Sequence, residues 1–290
     1  MSDAVIVSGS GRSVLGEGVT WSARDNAVYW VDILGLGIRR LLLDDGRVTH
    51  WTTPERTGWL IERTGGDGFI AGLQSGFHEL TLPQDGGTAV VTRIIDPEPD
   101  LADNRMNDAA ADCHGRIWAG TMPVSCEGET GTFYRLDPDR TLTTVDAPYT
   151  IANGPAIAPD GTWLFHTDTA LNTIFRFDIR DDGSLGQRVP HIVFDGSAGH
   201  PDGMTLDADG CLWVAHWGGS RVTRFDLTGQ AMRHIPLPAS QITRMAFAGA
   251  DLDRMFVTSA ADGVDHETHA GALFEVDPGC KGLPTLAFGG

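Results

Sequence analysis

Residues 202–217 read DGMTLDADGCLWVAHW, and the same pattern returns as EGVTWSARDNAVYWVD at 17–32, NDAAADCHGRIWAGTM at 107–122 and NGPAIAPDGTWLFHTDT at 153–169. Each copy opens on an oxygen-bearing side chain: Glu17, Asn107, Asn153 or Asp202. A short apolar run follows, then a polar turn usually containing Gly, then a second run with an aromatic 11 to 13 positions beyond the opening residue (Trp30, Trp118, Phe165 and Trp213). The runs are rich in Val, Ile, Phe, Trp and Thr and lack helical spacing, so they predict strands. Asp160-Gly161 and Asp209-Gly210 fit tight hairpin turns, in which Gly takes positive φ without a steric penalty, and His114-Gly115 holds the same place in its repeat.

Working outward from these copies, six units are legible. They cover about 17–48 (GVTW, AVYWVD, IRRLLLD), 57–95 (WLIER, GFIAGL, FHELTL) and 107–146 (DAAADC, RIWAGTM, TFYRLDP, LTTVDA). The others cover about 153–196 (PAIAP, WLFHTD, TIFRFDI, HIVFD), 202–238 (MTLDAD, CLWVAHW, RVTRFDL, RHIPL) and 241 onward (RMAFAG, RMFVTSA, ALFEVDP, PTLAFG). A period of about 40–50 residues with four strands per unit is the signature of a β-propeller. The expected fold is all-β: one six-bladed β-propeller domain over 1–290, with AVIVSGS (4–10) as the outer strand of the last blade. Such a closure removes an exposed sheet edge. Trp30, Trp118, Trp163 and Trp213 fall on second strands and are expected to pack between blades.

Composition narrows the function. Lys plus Arg total 21 against 39 Asp plus Glu, a formal charge of −18, so no basic stripe is present to neutralise nucleic-acid phosphates. The N-terminus lacks a basic stretch followed by an apolar core, and no run approaches the ~20 apolar residues of a membrane span. Cys113, Cys126, Cys211 and Cys280 form no CxxC pair and no ligand spacing, which fits reduced thiols in a cytoplasmic protein.

Residues at one phase of a ring of blades share one end of its central channel. Glu17, Asn107, Asn153 and Asp202 therefore converge, although an Asp or Asn beside Gly is ordinarily a turn residue. Two carboxylates offset the charge of one divalent cation, and an Asn carbonyl adds a neutral oxygen. Three protein oxygens leave room for water and substrate, as catalytic metal sites do. The expected ligands are Glu17, Asn153 and Asp202. Asn107 is a weaker fourth candidate, because Arg105 and Asp108 beside it suggest a substrate-recognition cluster of Arg105, Asn107 and Asp108. The donor types favour one Ca, Mg or Mn ion, or a loosely held Zn. The second and sixth units place residues near Thr57–Trp59 and Ile242–Arg244 at this phase, where they would shape the channel mouth. His166 and His216 are expected in core or wall, His200 behind Asp202, and Glu127 in solvent. His266, Glu267 and His269 fall one residue short of a HExxH zinc motif, in a Gly-flanked surface loop. No G-x-S-x-G elbow supports a serine nucleophile.

RMNDAAADCHGRIWAGTM (105–122) resembles the R-x-N-D-G-x-x-D-x-x-G-R-x-W-x-G-T-M segment of the regucalcin/gluconolactonase (sugar lactonase) family. LGEGVTW (15–21), IANGPAIAPDG (151–161) through HTDT (166–169), PDGMTLDADGCLWVAHWGG (201–219), QITRMAFAGADLDRMFVTSA (241–260) and GLP (282–284) are similar to its other motifs, in order along nearly the whole chain. NGPAIAPDG followed by FHTDT is most similar to bacterial aldonolactonases. The resemblance implies a six-bladed propeller with Glu17, Asn153 and Asp202 around one divalent ion, and Arg105 and Asn107 on the sugar hydroxyls. Ala109 departs from the Gly that commonly follows Asn-Asp. The reaction implied is hydrolysis of a sugar lactone to its aldonic acid, with the metal polarising the carbonyl and Asp202 as general base. Two other readings compete: a metal-dependent hydrolase of aryl esters or organophosphates, and a non-catalytic calcium-binding propeller. The sequence leaves the oligomeric state open.

Overall fold

The structure, a computed structural model, describes residues 4–290. The innermost strands are Gly16–Ser22, Thr57–Glu62, Asn104–Ala111, Ala152–Ile157, His200–Leu206 and Ile242–Ala248. Each packs against the next, and the last packs against the first, so six blades close a ring. Every blade then runs outward through antiparallel strands to a fourth. In the sixth blade that fourth strand is Val5–Ile6, with Val5 opposite Glu275 and Ile6 opposite Phe274. The N-terminal strand thus closes the last blade as expected.

Three features depart from the strand reading. Gly87–Thr88 adds a short parallel fifth strand to the first blade, alongside Trp51 and Thr52. Val90–Ile95 forms the outer strand of the second blade; it is exposed or half-buried throughout and so lacks an apolar face. PTLAFG is not a strand of the sixth blade. Because Val5–Ile6 takes that edge, the C-terminal segment turns to the channel: Leu283–Leu286 line its end, and Phe288 is buried against the second and third blades.

The core lies between blades. Trp30 packs with Ala248, Phe256 and Leu273 of the sixth blade, and Trp118 with Ala152 and Leu164 of the fourth. Trp213 meets Phe247 edge-on at 6.4 Å. Trp163 is only half-buried, at the rim of its cluster. Two of the buried indole N–H groups meet a carboxylate. Trp118 donates to Asp112 at 2.7 Å and Trp213 to Asp207 at 2.9 Å. The other oxygen of each Asp accepts backbone N–H groups of its own hairpin, from His114 and Arg116 or from Asp209 and Cys211. Those hairpins enclose three residues rather than two. Asp207 N–H donates to Cys211 O, Gly210 N–H donates to Asp207 O, and Gly210 sits at φ +80°. That left-handed residue closes a three-residue loop.

Candidate active site

All six inner strands are interrupted by a β-bulge at nearly the same level: between 17 and 20, 57 and 59, 106 and 109, 153 and 156, 201 and 204, and 242 and 245. Bulges unpair residues and re-aim side chains, and they recur beside active sites. Glu17 and Asn153 are the last paired residues before their bulges. Asn107 and Asp202 lie within theirs. The backbones meet so closely here that glycine is required. A Cβ on Gly18 (φ +54°) would lie 2.6 Å from Gly58 O, and one on Gly203 would lie 2.8 Å from both Thr243 O and the Arg244 side chain.

Glu17, Arg105, Asn107, Asp108, Asn153 and Asp202 are all buried. Arg105 Nη1 donates to Asn107 Oδ1 at 2.6 Å and to Met106 O at 3.1 Å. Asn107 Nδ2 donates to Asn153 Oδ1 at 2.8 Å and to Ala152 O at 2.7 Å. Asn153 Nδ2 donates to Thr169 Oγ1 at 2.9 Å, and that hydroxyl donates to Pro201 O at 2.7 Å. One chain of contacts therefore runs from Arg105 to the residue before Asp202. Asp108 is engaged on both oxygens: Oδ2 accepts from Gly154 N–H at 3.0 Å, and Oδ1 accepts from Ala109 N–H at 2.7 Å and from Arg244.

Glu17 and Asp202 stand apart from this network. Glu17 Oε2 accepts only its neighbour Gly18 N–H at 2.9 Å. Among the described residues neither carboxylate forms an ion pair. Burial raises the Glu17 proton affinity, opposed by the Gly18 N–H and by the charges of Arg244 and Arg105. Burial and then the charge of Glu17 hold Asp202 well above the usual carboxylate range. Two buried, mutually repelling carboxylates are costly unless a cation compensates them.

That imbalance, together with amide oxygens from Asn153 and Asn107, fits a hard divalent cation. Among the described residues no three His, Cys, Asp or Glu side chains cluster for a metal. The candidate site has only two such groups, and its remaining donors are amides. Glu17, Asn153 and Asp202 would hold the ion.

Other expected residues fall elsewhere. His166 is core: it stacks on Phe133 at 3.8 Å, and burial keeps it neutral. His216 is buried, with Nδ1 2.8 Å from Ala198 O. His200 is exposed and bonds Asn172 rather than Asp202. Glu127 is exposed, and Glu267 accepts from Ser240 N–H on a surface loop. Burial pushes the Arg105 guanidinium down, while Cys126 of the loop 123–131, Glu17 and Asp202 act in the opposite sense. Arg244 carries more than the mouth-shaping part read from sequence, since it reaches Asp108 from the sixth blade. Its position at the bulge phase was visible in sequence; its partner was not. Below the bulges, the inner strands and Leu283–Leu286 enclose a cavity of about 230 Å³ that Glu17, Asn153 and Asp202 do not line.

The chain is 34% identical to a 6-deoxy-6-sulfogluconolactonase of Pseudomonas putida, covering 92% of this chain and 94% of that protein. It is 34% identical to an L-arabinolactonase of Azospirillum brasilense, covering 96% and 93%. The crystal structure of a calcium-binding protein, regucalcin, from Agrobacterium tumefaciens superposes with a TM-score of 0.91 at 27% identity, covering 99% and 97%. Residues 15–261 match the family described as the SMP-30/Gluconolactonase/LRE-like region, and the chain belongs to that family.

Proposed function

We propose that this protein hydrolyses a sugar (aldono-) lactone to the aldonic acid at the ring of Glu17, Asn153 and Asp202, with one divalent cation bound there. The observation that carries the reading is the pair of buried carboxylates, Glu17 and Asp202, without an ion-pair partner among the described residues and beside the amides of Asn107 and Asn153. A bound cation supplies Lewis-acid polarisation of the lactone carbonyl and acidification of a water molecule. Calcium, zinc, magnesium and manganese are the candidates, and the oxygen-only donor set favours the hard ions. The reaction adds water across the acyl C–O bond: hydroxyl goes to the carbonyl carbon, and the ring oxygen leaves with a proton. Asp202 is the group placed to take the water proton and return it to the departing oxygen. Arg105 has no carboxylate partner among the described residues. Its remaining N–H groups are free to bind sugar hydroxyls and the developing oxyanion, with Asn107 beside it. The inner-strand stretches at 57–62 and 241–244 and the loop at 123–131 set which sugar fits. Four unpaired thiols suit work in the cytoplasm.

The test is lactone hydrolysis after chelation and re-addition of single metals, run beside paraoxon-type aryl esters. Metal-dependent turnover of aldonolactones is expected. Aryl-ester preference would move the activity to the esterase reading, and tight calcium binding with no turnover would leave a binding propeller. Asp202→Ala is expected to lower kcat/KM by about 10²–10⁴-fold. Retention of most activity and cation affinity would remove Asp202 from both roles.

A further inference from the structure

The third and sixth blades face each other across the ring, so the ion pair between Asp108 and Arg244 spans the channel. The Arg244 stem runs against Gly203, whose missing Cβ would meet Arg244 Cγ at 2.8 Å. Its guanidinium also donates to Ala109 O at 3.2 Å. Asp108 in turn holds Gly154 N–H at 3.0 Å. The crossing side chain therefore touches the neighbour of Asp202 and, through Asp108, the neighbour of Asn153, and its charge acts on Glu17. It also lines the top of the 230 Å³ cavity below. Burying such a pair brings little net stability, so its use lies in what it holds in place.

We propose that Arg244 is a positioning residue: a transverse strut that fixes Asp108, and through it the Asn153–Gly154 bulge, and thereby sets the cation affinity of the site. The affinity part rests on the cation site proposed above; the Gly154 part does not. Among the described residues Arg244 forms no hydrogen bond with the expected ligands, so it positions them through Asp108 and the packing at Gly203. Its charge beside Glu17 opposes a bound cation, so a rise in Kd on its removal reads the lost positioning alone.

The experiment is a double-mutant cycle of Arg244→Met and Asp108→Asn in the full chain, with Arg244→Lys as the folded control should the methionine variant not fold. Two readouts are taken. The first is hydrogen exchange of the Gly154 amide in chelated protein, and the second is calcium affinity by calorimetry. In Arg244→Met, Gly154 exchange is expected to quicken at least about tenfold, and the calcium Kd to rise about 10–100-fold, as when a partner behind a ligand is lost. The double variant should be no worse than either single one, because both remove one linkage. Arg244→Lys should fall between wild type and Arg244→Met. Unchanged Gly154 exchange, or additive effects on Kd, overturns the strut. A wild type that binds no divalent ion, with Gly154 exchange still governed by Arg244, sinks the cation site and leaves the strut standing.

Discussion

His216 and His166 were read together in the sequence, and burial keeps both rings neutral, yet they present different opportunities for test. His166 is enclosed by Phe133 and Tyr149, whereas His216 retains one acceptor, Ala198 O. Burial, the leading cause, pushes His216 down to about 4 from an ordinary 6.5. The sign follows from linkage. Above the unfolded value neither state is protonated, and stability is whole. As pH falls from 6.5 toward 4, the unfolded chain takes the proton first, so stability is lost across that window. The thermal midpoint is expected to fall between pH 7 and pH 4.5, and His216→Gln, which keeps a donor for Ala198, should make that fall shallower. An identical slope in the variant would assign the acid lability to other groups. At the same scale, Glu17→Gln keeps the shape of the site and removes one of its two carboxylates that lack an ion-pair partner among the described residues. Calorimetry should show the divalent-ion Kd rising at least about tenfold.

At the scale of the element, the bulge repeated in all six inner strands interrupts the pairing at Glu17, Asn107, Asn153 and Asp202. The strands themselves were legible because apolar alternation and the Asp…Gly hairpins recur. The polar residue at the head of four of the six inner strands was legible because it recurs at one phase. The outer strand Val90–Ile95 was not, since an exposed edge imposes no pattern. Nor could PTLAFG be told from a strand, because a plug and an inner strand ask for the same apolar side chains. Trp213 tests the packing between blades. Fully buried, and with its N–H on Asp207, it should cost about 3–5 kcal/mol when replaced by Ala, measured by denaturant unfolding. Gly18→Ala tests the bulge. Positive φ and the nearby Gly58 carbonyl leave no room for a methyl, so loss of stability and of cation binding should appear together.

At the scale of the whole molecule, the six-fold arrangement was legible from period alone, while the contact of Arg244 with Asp108 was not. Those residues lie 136 positions apart, and only the closed ring sets one opposite the other. A ligand that bridges the first, fourth and fifth blades should tie the ring together. Added calcium is expected to raise the thermal midpoint of chelated protein in proportion to the logarithm of its concentration; a flat response would mean that no ion bridges these blades. The clasp of Val5–Ile6 on Phe274–Val276 has a mechanical meaning of its own. A chain fastened to itself is a hoop, and a hoop cut once does not fall apart. A protease nick in the exposed loop at Glu127–Gly128 should yield two fragments that travel as one particle through a sizing column and part company only in denaturant.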